Sequence, residues 1–190
     1  MKVDYDNILS QIEKSSLNDY PIHIIGNLPF NIASPLLLRW LHQTASREGL
    51  FGTSKGVWLT LMFQKEVAER LTAVPRTSDY GRLSILTQWL CEAQILFTVP
   101  PSCFTPPPKV TSAIVYLKPR EKPLAPARGD LLEKVTAAAF NQRRKMLRSS
   151  LKCLGDAQAL CDAANVPSTA RAEELSVNDF CAMATALENM

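Results

Sequence analysis

Ile24-Ile25-Gly26-Asn27-Leu28-Pro29-Phe30 is an apolar run that stops on a polar residue, a Leu-Pro pair and an aromatic ring. The residues up to Gly26 read as a short buried strand, and Pro29 ends any ladder because it has no N–H to donate. In open α/β sheets ligands sit just beyond the carboxyl ends of the strands, which is where Asn27 to Phe30 would project. A neutral side-chain carbonyl, a backbone carbonyl stiffened by proline and an aromatic plane suit one task, the gripping of a planar base that carries an exocyclic amine. In isolation the same tetrad also fits a β-turn that leads into core Leu and Phe.

The chemistry accounts for each residue type. The amine of adenine is a poor nucleophile because its lone pair is delocalised into the ring. Two acceptors aimed at its N–H groups would draw it toward a tetrahedral shape and free the lone pair. Asn27 offers one acceptor, the Leu28 carbonyl held by Pro29 the second, and Phe30 a stacking face worth roughly 1–3 kcal/mol per base. A second aromatic, Phe104, precedes Thr105-Pro106-Pro107-Pro108-Lys109. Three consecutive prolines cannot enter a sheet, so they predict a stiff extended loop that holds Phe104 opposite Phe30 across a base swung out of its stack.

Six ordered blocks then resemble one family: Gly26-Asn27-Leu28-Pro29-Phe30, Phe63-Gln64-Lys65-Glu66-Val67-Ala68-Glu69-Arg70, Tyr80-Gly81-Arg82-Leu83-Ser84, Val99-Pro100-Pro101-Ser102-Cys103-Phe104, Phe140-Asn141-Gln142-Arg143-Arg144-Lys145 and Arg171-Ala172-Glu173-Glu174-Leu175-Ser176. They resemble the small-subunit rRNA adenine N6,N6-dimethyltransferases. The resemblance implies an α/β fold: the carboxyl-terminal part of a Rossmann-like, S-adenosylmethionine-dependent methyltransferase sheet, followed by a small all-α domain. It implies transfer of methyls from S-adenosylmethionine to two adjacent adenosines near the 3′ end of small-subunit rRNA. Asn27, Leu28, Pro29 and Phe30 would be the catalytic tetrad, with Asn27 also touching the cofactor. The Arg47-to-Gly52 insertion is similar to the mitochondrial branch, and Tyr80-Gly81-Arg82 to the bacterial cytoplasmic one; the mitochondrial reading is preferred.

Family members begin with a glycine-rich loop for the methionine end of the cofactor, followed by acids for its ribose and adenine. This chain has no G-x-G motif. Met1 therefore reads as an internal methionine of a longer parent, with Asp4 and Asp6 poor matches to the last cofactor-binding acid. The family's strand order would leave the strand at Ile22–Ile25 with an open apolar edge, which predicts poor solubility and no cofactor binding by the chain alone.

The organisation follows from composition and charge. The pattern predicts strands over 22–26, 57–63, 94–99 and 111–117, and helices over 34–44, 64–73 and 82–91. A Pro- and charge-rich linker at 119–126 would divide a partial catalytic domain, 1–118, from a helical RNA-binding domain, 127–190, whose apolar spacing is helical over 130–154 and 176–187. The net charge of +3 says little by itself, but residues 109–152 carry +8 and residues 153–190 carry −5. Arg143, Arg144, Lys145 and Arg148, with Lys109, Tyr80 and Arg82, are the candidate RNA contacts, since guanidinium forks suit phosphate oxygens. Five cysteines without a C-x-x-C pair and two separated histidines predict reduced thiols and no zinc site. No stretch reads as a membrane span, because Leu36-Leu37-Leu38 meets Arg39. The expected partner is the pre-ribosomal small subunit, bound by a monomer. A non-catalytic RNA-binding factor for ribosome assembly, or for mitochondrial transcription, is the other class. A large-subunit rRNA methyltransferase is disfavoured by the Arg143 and Arg171 blocks.

Overall fold

The structure, a computed structural model, describes residues 22–52 and 56–190; Asp4 and Asp6 lie outside them. Contacts divide the chain into two compact units, Met1–Ala68 with Cys91–Glu121 and Glu69–Leu90 with Lys122–Met190.

In the first unit, β1 (Ile22–Asn27), β2 (Val57–Gln64), β3 (Cys91–Val99) and β4 (Ser112–Pro119) form a sheet of order β1-β2-β4-β3. β1 runs parallel to β2, and β4 is antiparallel to both β2 and β3. Strand alternation sorts the side chains onto two faces. Val57, Leu59, Leu61 and Phe63 are buried on one face with Ala113, Val115 and Leu117. Helix α1 (Phe30–Ser46) packs on β2 and buries Ala33, Leu37, Trp40 and Leu41. The other face carries His23, whose Nε2 lies 2.8 Å from Thr60 Oγ1 and whose ring meets Trp58 and Tyr116 edge-on. Ile25 is 75% exposed on β1, an edge strand whose one ladder neighbour among the described residues is β2.

The helix after the tetrad begins at Phe30, not near Ser34 as the sequence suggests, and holds Pro35 as its sixth residue. Pro35 removes one N–H from the ladder, but the apolar stripe facing β2 keeps the segment helical. β3 starts at Cys91 immediately after the helix Arg82–Leu90, with no intervening loop.

The second unit is helical and corrects the expected division. Helix α3 (Arg82–Leu90), preceded by α2 (Lys65–Thr72) across the unit boundary, packs on α4 (Gly129–Asn141) and α5 (Val177–Glu188). Its Ile85, Leu86, Trp89 and Leu90 are buried, so residues 69–90 belong with the carboxyl-terminal helices despite preceding the proline-rich stretch. That stretch is pinned at both ends, unlike a free linker. Arg47 donates to the Glu121 carbonyl at 2.8 Å; Leu124 N–H donates to the Trp89 carbonyl and Trp89 Nε1 to the Ala125 carbonyl, both at 2.8 Å. The helical pattern of 130–154 is also broken: α4 ends at Asn141, and a turn over 142–146 leads into short helical pieces from Leu147 to Leu154.

Cys91, Cys161 and Cys181 are buried, whereas Cys103 and Cys153 are exposed. Burial pushes the Cys91 and Cys181 thiols from an ordinary 9.0 up to about 12. A thiol reagent at pH 8 is therefore expected to modify two cysteines in the native protein and all five after denaturation. Because the folded-state values are raised, these thiols favour the fold fully below pH 9 and progressively less as the pH rises toward 12. Rapid native labelling of Cys91 would contradict this assignment.

Candidate functional site

Asn27 is the last residue of β1, and Pro29 caps the amino end of α1, so the tetrad is a strand-to-helix turn. Gly26 permits the turn: a Cβ there would lie 3.3 Å from Leu61 Cδ2 and 3.5 Å from Leu28 Cγ. The Pro29 carbonyl is spent on the first turn of the helix, accepting from Ile32 N at 3.0 Å and Ala33 N at 3.1 Å. No described residue engages the Asn27 side chain or the Leu28 carbonyl, and Asn27 is exposed. Asn27 is thus an exposed residue at this corner, with Leu28 and Phe30 half-buried beside it.

The Phe104 loop emerges at the same end of the sheet. β4 starts at Ser112 opposite Gln64, two residues beyond Met62, which is the register partner of Asn27. Lys65 N–H donates to the Thr111 carbonyl at 2.9 Å, tying the end of the loop to the end of β2. A short 3-10 turn, Pro101–Cys103, delivers a half-buried Phe104, whose N–H donates to the Pro101 carbonyl at 3.1 Å. The Thr105–Pro106 bond is cis. Lys109 is exposed on this loop.

The basic candidates divide into two kinds. Arg82, Arg144, Lys145 and Arg148 are exposed in the helical unit. Tyr80 is fully buried, edge-on to Phe140 at 6.2 Å, and presents no face to a base; it is core, not an RNA contact. Neighbouring Gly81 N–H donates to Ser84 Oγ, which donates to the Arg70 carbonyl at 2.6 Å, so this block closes a loop. Arg143 is also engaged inwardly: Nε pairs with Glu173 Oε2 at 2.7 Å, Nη1 donates to the Ser78 carbonyl at 2.6 Å and Nη2 to the Thr77 carbonyl at 2.9 Å. Phe140 is stacked on Phe180 at 5.7 Å, whereas Met146 is 39% exposed. The sequence reading had no role for Glu173. Its signal was available in the alternation of a basic block at 143–145 with an acidic pair at 173–174.

An S-adenosylmethionine nucleoside calls for an acidic partner on its ribose. The end of β1 and the first turn of α1, residues 27–33, carry no acid. Among the described residues no group of three or more His, Cys, Asp or Glu is placed to hold a metal, and no helix is long and apolar enough to cross a membrane.

The sequence matches the ribosomal RNA adenine dimethylase family over residues 3–189. It is 54% identical to the ribosomal RNA small subunit methyltransferase A of Rhodospirillum rubrum, over 93% of this chain and 58% of that protein. It is 53% identical to the protein of the same name from Paramagnetospirillum magneticum, over 93% of this chain and 60% of that one. The chain thus spans less than two thirds of the length of these curated relatives. A crystal structure of a dimethyladenosine transferase from Plasmodium falciparum superposes with a TM-score of 0.70 at 27% identity, covering 88% of this chain and 67% of that one. The 23S rRNA methyltransferase ErmE shares the fold, with a TM-score of 0.57 at 24% identity over 89% of this chain and 66% of its own. The curated relatives are bacterial, and the mitochondrial preference drawn from residues 47–52 finds no support in them. That segment is a left-handed Arg47 and a 3-10 turn, Gly49–Gly52, that sets Phe51 against Trp40. By family, fold and sequence, the chain belongs to the ribosomal RNA adenine dimethylases.

Proposed function

We propose that this chain supplies the adenine-gripping corner and the RNA-holding helices of an rRNA adenine N6,N6-dimethyltransferase of the bacterial cytoplasm. Its substrate is a pair of adjacent adenosines near the 3′ end of small-subunit rRNA, in an assembling ribosomal particle. The carrying observation is a pair of acceptors at the end of β1 that no described residue engages, the Asn27 side chain and the Leu28 carbonyl. Both accept from the adenine amine, localise its lone pair and stabilise the positive charge that grows on nitrogen as it attacks. Phe30 and Phe104 hold the flipped base, and Arg82, Lys109, Arg144, Lys145 and Arg148 hold phosphates. S-adenosylmethionine supplies the methyl group when bound; the residues described here act on the acceptor, chiefly by positioning.

The test joins this chain to the glycine-loop portion of the Rhodospirillum rubrum relative and presents unmethylated small ribosomal subunits. Dimethyladenosine in the rRNA digest is the expected product of the chimera, and binding without methylation that of the 190-residue chain. A chimera that binds particles yet never methylates them would favour the other reading, a non-catalytic assembly factor. In the active chimera, Phe104→Ala is expected to lower kcat/KM about 5- to 150-fold, the loss of one stacking face worth roughly 1–3 kcal/mol. An unchanged kcat/KM would remove Phe104 from the site.

A further inference from the structure

Arg143 stands in the middle of the most basic stretch of the chain, yet its guanidinium is occupied by acceptors within the protein. Nε meets the Glu173 carboxylate at 2.7 Å, and Nη1 and Nη2 reach the Ser78 and Thr77 carbonyls at 2.6 and 2.9 Å. The backbone carbonyl of Glu173 accepts the Arg76 N–H at 2.7 Å. One acid therefore joins the turn after α4 to the 74–81 loop by two routes. The chain that follows Arg143 is stitched to the same region: Met146 bridges to Arg171, Leu147 N–H donates to the Ala170 carbonyl at 2.8 Å, and Arg148 N–H to the Ser168 carbonyl at 2.9 Å. Arg144, Lys145 and Arg148 remain exposed on a backbone held at several points.

We propose that Arg143 is a positioning residue for RNA binding: its fork, held by Glu173 and the 77–78 carbonyls, sets the backbone from which Arg144, Lys145 and Arg148 reach phosphates. This rests on the functional reading above. A planar guanidinium spans three acceptors that a lysine ammonium cannot satisfy together, so charge alone does not replace it. Glu173 belongs to the same device, although an acid beside an RNA surface would otherwise weaken binding.

The measurement is the affinity of the full chain for unmethylated small ribosomal subunits as a function of salt concentration. Each phosphate contact contributes a slope of about 0.7–0.9 in log K against log salt. Arg144→Gln and Lys145→Gln are expected to lower the slope by about one contact each. Arg143→Gln and the near-isosteric Glu173→Gln are expected to weaken binding about tenfold with the slope unchanged, the scale of one lost charge-assisted hydrogen bond. Arg143→Lys is not expected to rescue. In all three of these variants, but not in Arg144→Gln, amide exchange at residues 76–80 should rise while far-UV dichroism is retained. An Arg143→Gln slope lowered by a full contact, or tighter binding by Glu173→Gln, would overturn the positioning role and leave the functional reading intact. No binding by the unsubstituted chain would overturn both.

Discussion

Asn27→Ala is expected to lower the methylation rate of the active chimera about 10²–10³-fold, the cost of removing one preorganised hydrogen-bonding group from a reacting centre. Asn27 ends β1, is exposed and is engaged by no described side chain, so the fold has little to lose. Surface changes of that kind alter stability by about 0.5 kcal/mol or less. The loss should fall on kcat rather than on particle affinity, because the acceptor bond strengthens as charge develops on the amine. Leu28→Ala is the control: it keeps the backbone carbonyl, and the rate should change little. Single-turnover methylation with saturating particles separates the two effects. A loss of less than about fivefold in Asn27→Ala would mean that the side chain is not an acceptor for the amine.

Much of the fold could be read from local pattern. β1 and β2 appear within a residue of their expected ends because each is an apolar run with a clear stop, at Pro29 and at the polar start of α2. β3 was harder. It follows Leu90 without a Gly, Pro or Asn to mark the change, so Cys91 to Ala93 looked helical or unassigned while the ladder with Leu117, Lys118 and Pro119 makes them strand. Which unit a helix joins is not a local property. Ile85, Leu86 and Trp89 look equally apolar whether they cover a sheet or pack on α4, and only the contacts decide.

The candidate site divides in the same way. The place of the Asn-Leu-Pro-Phe segment as a turn after a strand was legible, because the apolar run stops at Pro29. Side-chain direction was not. Arg143 and Arg144 are adjacent and chemically identical, yet one is bound to Glu173 and two carbonyls while the other is exposed. Charge density marks the basic stretch around residues 143–148, but the acid that pairs with Arg143 is thirty positions away in the chain.

Tyr80 carries the second large effect, on stability. Its ring is fully buried against Phe140, which in turn stacks on Phe180. Tyr80→Ala removes the first of these three rings and should cost the helical unit about 3–5 kcal/mol. For a unit of this size that lowers the Tm by roughly 12 °C or more. The hydroxyl behaves differently. Among the described residues Tyr80 Oη is buried without a hydrogen-bond partner, so Tyr80→Phe should be neutral or stabilising by up to about 1 kcal/mol. Burial, with Asp179 adding to it, raises the phenol above its ordinary 10.0. The folded protein therefore holds that proton more tightly than the unfolded chain, and stability falls as the pH climbs past 10. Tyr80→Phe should flatten that alkaline decline, measured by thermal melts between pH 8 and about 11, the range that brackets the phenol's ordinary pKa. A Tyr80→Ala protein that melts like the parent while losing RNA affinity would return Tyr80 to the RNA surface.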